Sequence, residues 1–68
     1  MKPNISITWT DGNFEKAWSA SSIEEAKSIA KNTDYWPIEI SDYSTMTTTI
    51  SENGNEIETY DYSELCAL

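Results

Sequence analysis

The sequence predicts an α+β domain: one antiparallel sheet, its elements in the order β-β-α-β-β-β, with a single helix packed across one face. Three observations predict it. Ile5, Ile7 and Trp9 alternate with Ser6 and Thr8, the two-residue period of a half-buried strand. Ile23, Ala26, Ile29 and Ala30 form an apolar stripe at helical spacing. Asn53-Gly54 stands between two strand-like runs and is a strong hairpin-turn signal. A sheet and a helix that are each apolar on one side bury both surfaces most simply by packing together.

The first element is a hairpin over residues 4–19. Asp11-Gly12 supplies a two-residue turn in which both central residues take positive φ. Folding the chain there pairs Trp9 with Phe14, Ile7 with Lys16 and Ile5 with Trp18, all on one face. Lys16 is the polar exception, and its alkyl stem suits a core edge while the ammonium reaches water. A helix follows over 22–32. Ser21 and Ser22 are candidate N-caps, and Glu24 and Glu25 stand three residues after them, so either register forms a capping box. Acids in the first turn and Lys27 and Lys31 toward the end suit the helix dipole, and Asn32 stops the helix. A strand is expected over 36–41, with Trp36, Ile38 and Ile40 on one face and Pro37 placing it at an edge or a strand start.

The second hairpin spans 45–62 about Asn53-Gly54. That turn pairs Glu52 with Asn55, Ile50 with Ile57, Thr48 with Thr59 and Met46 with Asp61. Met46, Ile50 and Ile57 then face the core, and Thr47, Thr49, Glu56, Glu58, Tyr60 and Tyr62 face out. A tail over 63–68 ends the chain, its Leu65-Cys66-Ala67-Leu68 either capping the core or fraying. Trp9, Phe14, Trp18 and Trp36 fall on apolar faces and are expected in the core, with Trp18 and Trp36, which flank the helix, the first to be exposed if the helix covers only part of the sheet.

The 68 residues make one domain, 1–68. A chain this short buries a modest fraction of its surface and needs extra support. Cys66 is the sole cysteine, so an internal disulfide is impossible, and without histidine or a second thiol a structural zinc has no ligand set. Three Trp, four Tyr and one Phe are left to carry the core, and a homodimer is the other source of support. Met1-Lys2-Pro3-Asn4 is not followed by an apolar run, no stretch has the length of a membrane span, and the lone thiol suits a reducing compartment. A cytoplasmic location is the expectation.

Charge separates the function classes. Twelve Asp and Glu oppose four Lys, with no Arg, for a net charge of −8. Direct nucleic-acid binding needs clustered cations and is disfavoured, as is docking on anionic membranes. A Lys/Arg-rich protein is the partner class that the charge would steer inward.

The catalytic inventory is thin. Histidine is absent, Cys66 has no Lys nearby in sequence to activate it, and both glycines sit in hairpin turns rather than in a phosphate loop. Asp11-Gly12 lacks the other ligands of a calcium loop. No enzyme activity, metal or cofactor is therefore expected. The candidate partner-binding residues are Glu52, Glu56, Glu58, Tyr60, Asp61 and Tyr62 on the second hairpin, continued by Glu39, Asp42 and Tyr43 on the neighbouring strand. Side chains two apart on a strand stand about 6.5–7 Å from each other, so a row of carboxylates there imitates a phosphate backbone. Tyrosines beside acids also suit a protein-binding surface. Each acid has an ordinary explanation too, as part of a solvated sheet face that keeps a small protein soluble.

In size, charge and compact α+β plan, the chain resembles the small acidic, non-enzymatic proteins that bacteriophages and mobile elements make to block host nucleic-acid-handling machinery, including anti-CRISPR and anti-restriction inhibitors. The resemblance implies a DNA-mimic inhibitor that docks on the basic groove of a nucleic-acid-binding protein in the host cytoplasm. The alternative is a self-associating structural or regulatory module whose charge serves solubility alone.

Overall fold

The computed structural model describes residues 4–68; the reading of Met1 to Pro3 lies outside them. The elements are β1 (Ile5–Thr10), β2 (Glu15–Ala20), α1 (Ile23–Lys31), β3 (Thr47–Glu52), β4 (Asn55–Asp61) and α2 (Tyr62–Cys66). Single 3-10 turns occupy Thr33–Tyr35 and Tyr43–Thr45. The four strands form one antiparallel sheet in the order β2-β1-β3-β4, and α1 packs across β1, β2 and β3. The α+β class, with a helix on one face of an antiparallel sheet, is as the sequence predicts.

Helix α1 begins as its residues require. Ser22 is the N-cap and its hydroxyl accepts from Glu25 N, while the Glu25 carboxylate reaches back to Ser21 N and Oγ at 3.1 and 2.9 Å. Small Ala26 and Ala30 are buried and let the helix lie close to the sheet.

Three local expectations are corrected. The first hairpin closes through a four-residue loop, Asp11 to Phe14, and not through Asp11-Gly12 alone. The Asp11 carboxylate accepts from both Asn13 N and Phe14 N at 2.8 Å, which holds the loop open by two residues. Gly12 alone takes positive φ there, at 94°. The register therefore pairs Trp9 with Lys16, Ile7 with Trp18 and Ile5 with Ala20. A shift of two preserves the faces, but it draws Trp18 along the edge strand until the residue is 46 % exposed.

The expected strand over 36–41 is a loop. Pro37 cannot donate to a ladder, and its carbonyl instead closes a turn with Ile40 N at 3.3 Å. The turn sends Trp36 and Ile40 into the core and leaves Ile38 87 % exposed. The expected tail over 63–68 is for the most part helix α2, capped by Asp61 and Glu64 and anchored by buried Leu65.

The core gathers Ile5, Ile7, Trp9, Ala26, Ala30, Trp36, Ile40, Met46, Ile50 and Leu65. One acceptor ties its three parts together. The Ala30 carbonyl lies in the last turn of α1, where no backbone N–H reaches it. It accepts from two buried indoles, Trp9 Nε1 at 3.3 Å from the sheet and Trp36 Nε1 at 2.8 Å from the loop. The Tyr43 and Tyr62 rings pack against Trp36 in T-shaped pairs, with centroids 4.9 and 5.9 Å away. Thr48 is the exception in this core: buried, with its Oγ1 unpartnered among the described residues.

Two stability outcomes follow, both read as urea midpoints. Trp9→Phe and Trp36→Phe each destabilise by at least about 1 kcal/mol, and the double variant costs more than the two together, because only then is the Ala30 carbonyl buried without a donor. Thr48→Val, which replaces an unsatisfied hydroxyl by a methyl, stabilises by about 1 kcal/mol.

Candidate functional site

The second hairpin turns where expected. Asn53 and Gly54 take φ of 53° and 84°, the left-handed pair of a tight hairpin turn. Asn53 is also stitched to the start of β1: its N donates to Asn4 O at 2.7 Å, and its Oδ1 accepts from Asn4 N at 3.0 Å.

Beyond the turn the expected faces are corrected. Glu52 pairs with Asn55 and Ser51 with Glu56, but Ile50 then pairs with Glu58, Thr49 with Thr59 and Thr48 with Tyr60. Ile57 is the extra residue of a β-bulge and is 43 % exposed. Every residue of β4 past the bulge has changed sides. The reason lies in parity. Ile57 sits an odd number of residues from Tyr60 and Tyr62, so a regular strand buries either the isoleucine or the tyrosines. The bulge buries the larger apolar area, and both tyrosines pack against the core.

The nine candidate residues are thus divided among four places. Glu58 and Tyr60 lie on the helix side of the sheet, where the Tyr60 hydroxyl donates to Glu58 Oε2 and Lys27 of α1 stands 3.7 Å from the same oxygen. Glu56 remains on the outer face and accepts from Thr59 Oγ1 at 2.7 Å. Glu56 and Glu58 therefore form no single row of carboxylates, and Glu52 lies beside the turn. The remaining five converge at the far end of β4. Asp61 and Tyr62 begin α2, and Asp42 and Tyr43 begin the 3-10 turn that α2 packs against. Both tyrosines flank Trp36, and the Tyr43 hydroxyl donates to Pro37 O at 3.2 Å, next to the turn that carries exposed Glu39. Glu64, outside the candidate set, completes this acidic, tyrosine-bearing end through a capping box with Asp61. Its signal was in the sequence: Asp61 and Glu64 have the three-residue spacing of that box.

Local bonds shape this electrostatic surface. The hydroxyl and then the backbone N–H of Ser44 hold the Asp42 carboxyl below its usual 3.8, and the N–H groups of Asn13 and Phe14 do the same for Asp11. The Cys66 thiol beside the Tyr62 hydroxyl pushes that phenol above its usual 10.0. Among the described residues no three metal-ligating side chains cluster, no pocket opens, and no helix is long and apolar enough to cross a membrane.

Asp11 and Asp42 have folded pKa values below their unfolded ones. Their stabilisation is complete above the unfolded value near 3.8 and is lost as pH falls through the folded values. Unfolding midpoints measured from pH 5 downward should fall below about pH 4, and the fall should be shallower in the Asp11→Asn, Asp42→Asn double variant.

Compared with protein-family models, curated proteins and solved structures, the chain shows no significant match.

Proposed function

We propose that this protein is a non-enzymatic acidic binding module that recognises a Lys/Arg-rich surface on a partner protein. The observation that carries the reading is unneutralised charge. Of twelve acids only Glu58 has an ion-pair partner among the described residues. Several others are held by uncharged donors: Asp11 by loop N–H groups, Glu25 by Ser21, Asp42 by Ser44, and Asp61 and Glu64 by each other's backbone. Such bonds fix the carboxylates in place without cancelling their charge, so the field stays directed at solvent.

The end formed by Glu39, Asp42, Tyr43, Asp61, Tyr62 and Glu64 is the best contact surface. It combines acids of fixed position with half-buried tyrosines whose rings are immobilised on Trp36, and rigid aromatic anchors lose little entropy on binding. The narrower reading is an inhibitor of the phage or mobile-element counter-defence kind, which occupies a basic groove that nucleic acid would otherwise fill. Its support is the charge and the compact α+β plan. Paired carboxylates at strand spacing no longer contribute, since Glu56 and Glu58 lie on opposite faces.

The test is capture of the partner from lysate, followed by affinity measurements across salt concentrations. Binding should weaken steeply as salt rises, and a DNA duplex should compete for the same partner. Glu39→Lys, at an exposed acid, should weaken binding about tenfold, whereas Glu52→Lys at the other end of the hairpin should change it far less. Salt-insensitive affinity would refute the reading.

A further inference from the structure

The two sheet edges are guarded very differently. Edge strand β4 carries Glu56, Glu58 and Asp61 and is broken by the bulge at Ile57. Bulges and charges of this kind deter strand addition. Edge strand β2 has no bulge and no net charge. All six of its residues pair with β1 in unbroken register, and its charges, Glu15 and Lys16, are opposite in sign and confined to one end. Trp18 stands exposed at its centre. Among the described residues no strand pairs with its open side.

The bonding pattern shows which groups that edge presents. Asp11 N donates to Phe14 O, extending the β1–β2 register by one pair. Bonded and unbonded pairs alternate along an antiparallel ladder, so Lys16, Trp18 and Ala20 bond to β1. The Asn53 to Asn4 bond gives the matching phase on the other side of β1. The N–H and C=O groups of Glu15, Ala17 and Ser19 therefore point outward, unpaired among the described residues.

We propose that β2 is a homodimer interface, in which two copies pair β2 with β2 antiparallel about a two-fold axis at Ala17 to make one eight-stranded sheet. The edge is complementary to itself in this register. Ala17 meets Ala17 of the second copy on the axis, where a small side chain offers no clash, and Glu15 bonds to Ser19 of the second copy. Lys16 stands opposite Trp18 of the second copy on the helix side. That is an unbonded pair, the kind in which side chains approach most closely. Lys16 is held on the helix side of β2: its Nζ donates to Tyr35 O at 2.7 Å and lies 5.7 Å from the ring centroid of its own Trp18. Its stem and charge would cover the exposed indole of the other copy. No like charges confront each other across the seam. At β4 a second copy would crowd six carboxylates onto neighbouring strands, which is why the second copy belongs at β2.

This proposal is independent of the acidic-partner reading, and salt separates the two. Two copies of net charge −8 repel, so screening strengthens the dimer, whereas screening releases a basic partner. The experiment is sedimentation velocity on the purified protein from about 10 μM to about 1 mM, at about 0.05 M and about 0.5 M salt. The mass should rise from 7.7 kDa toward twice that value with concentration, and further at high salt. Ala17→Pro removes an outward N–H that β1 does not use, so it should stay monomeric with an unchanged circular dichroism spectrum. Trp18→Lys, which sets lysine against lysine, should weaken association at least tenfold. Thr59→Pro, an outward N–H on β4, should leave the dimer intact. A mass of 7.7 kDa under all conditions overturns the proposal. So does a dimer dissociated by salt, one lost through Thr59→Pro but kept in Ala17→Pro and Trp18→Lys, or a β2 edge that pairs only with a foreign strand.

Discussion

The structure turns on one carbonyl oxygen. A nine-residue helix is too short to persist alone in water, and its C-terminal carbonyls lack intrahelical donors. The Ala30 oxygen turns that deficit into an attachment point. Trp9 reaches it from the central strand and Trp36 from the loop that follows the helix, so helix, sheet and loop share a single buried acceptor. Neither indole N–H could be buried here without such a partner, and each bond fixes the position of a large apolar ring. Tyr43 and Tyr62 then pack on Trp36, which carries the same constraint outward to α2 and to the acidic end of the molecule.

What was legible in the sequence were the features decided within a few residues. The Ser22 cap, the Asn53-Gly54 turn and the alternation of Ile5, Ile7 and Trp9 each rest on local chemistry, and each holds. What was not legible required a comparison of distant alternatives. The apolar alternation at 36–41 satisfies the strand pattern, yet Pro37 lacks a ladder donor and the Trp36 indole reaches the Ala30 carbonyl from a loop. Asp11-Gly12 reads as a complete turn because the competing grip of the Asp11 carboxylate on Asn13 and Phe14 is a matter of side-chain geometry.

The candidate site shows the same division more sharply. Its residues were readable as a chemical set of acids and tyrosines, and five of the nine do come together. Their arrangement was not readable from a strict two-residue period, because one bulge reverses the facing of every residue that follows. The warning was present in the parity conflict between Ile57 and the pair Tyr60 and Tyr62. A strand that places large apolar residues at both parities must sacrifice one of them or bulge, and β4 gives up its isoleucine.

Self-repulsion at net charge −8 opposes compaction, and the fold limits it through placement. Asp11, Asp42, Asp61, Glu25 and Glu64 occupy loops and helix starts, where backbone N–H groups carry partial positive charge. Within the strands the acids are kept off the two inner strands except for Glu52 at the end of β3. The same placement leaves β2 without net charge, since Glu15 and Lys16 cancel, while β4 is heavily acidic. Such a division yields two edges of different character from one four-stranded sheet: one that rejects a further strand, and one whose exposed tryptophan and unpaired backbone groups invite it.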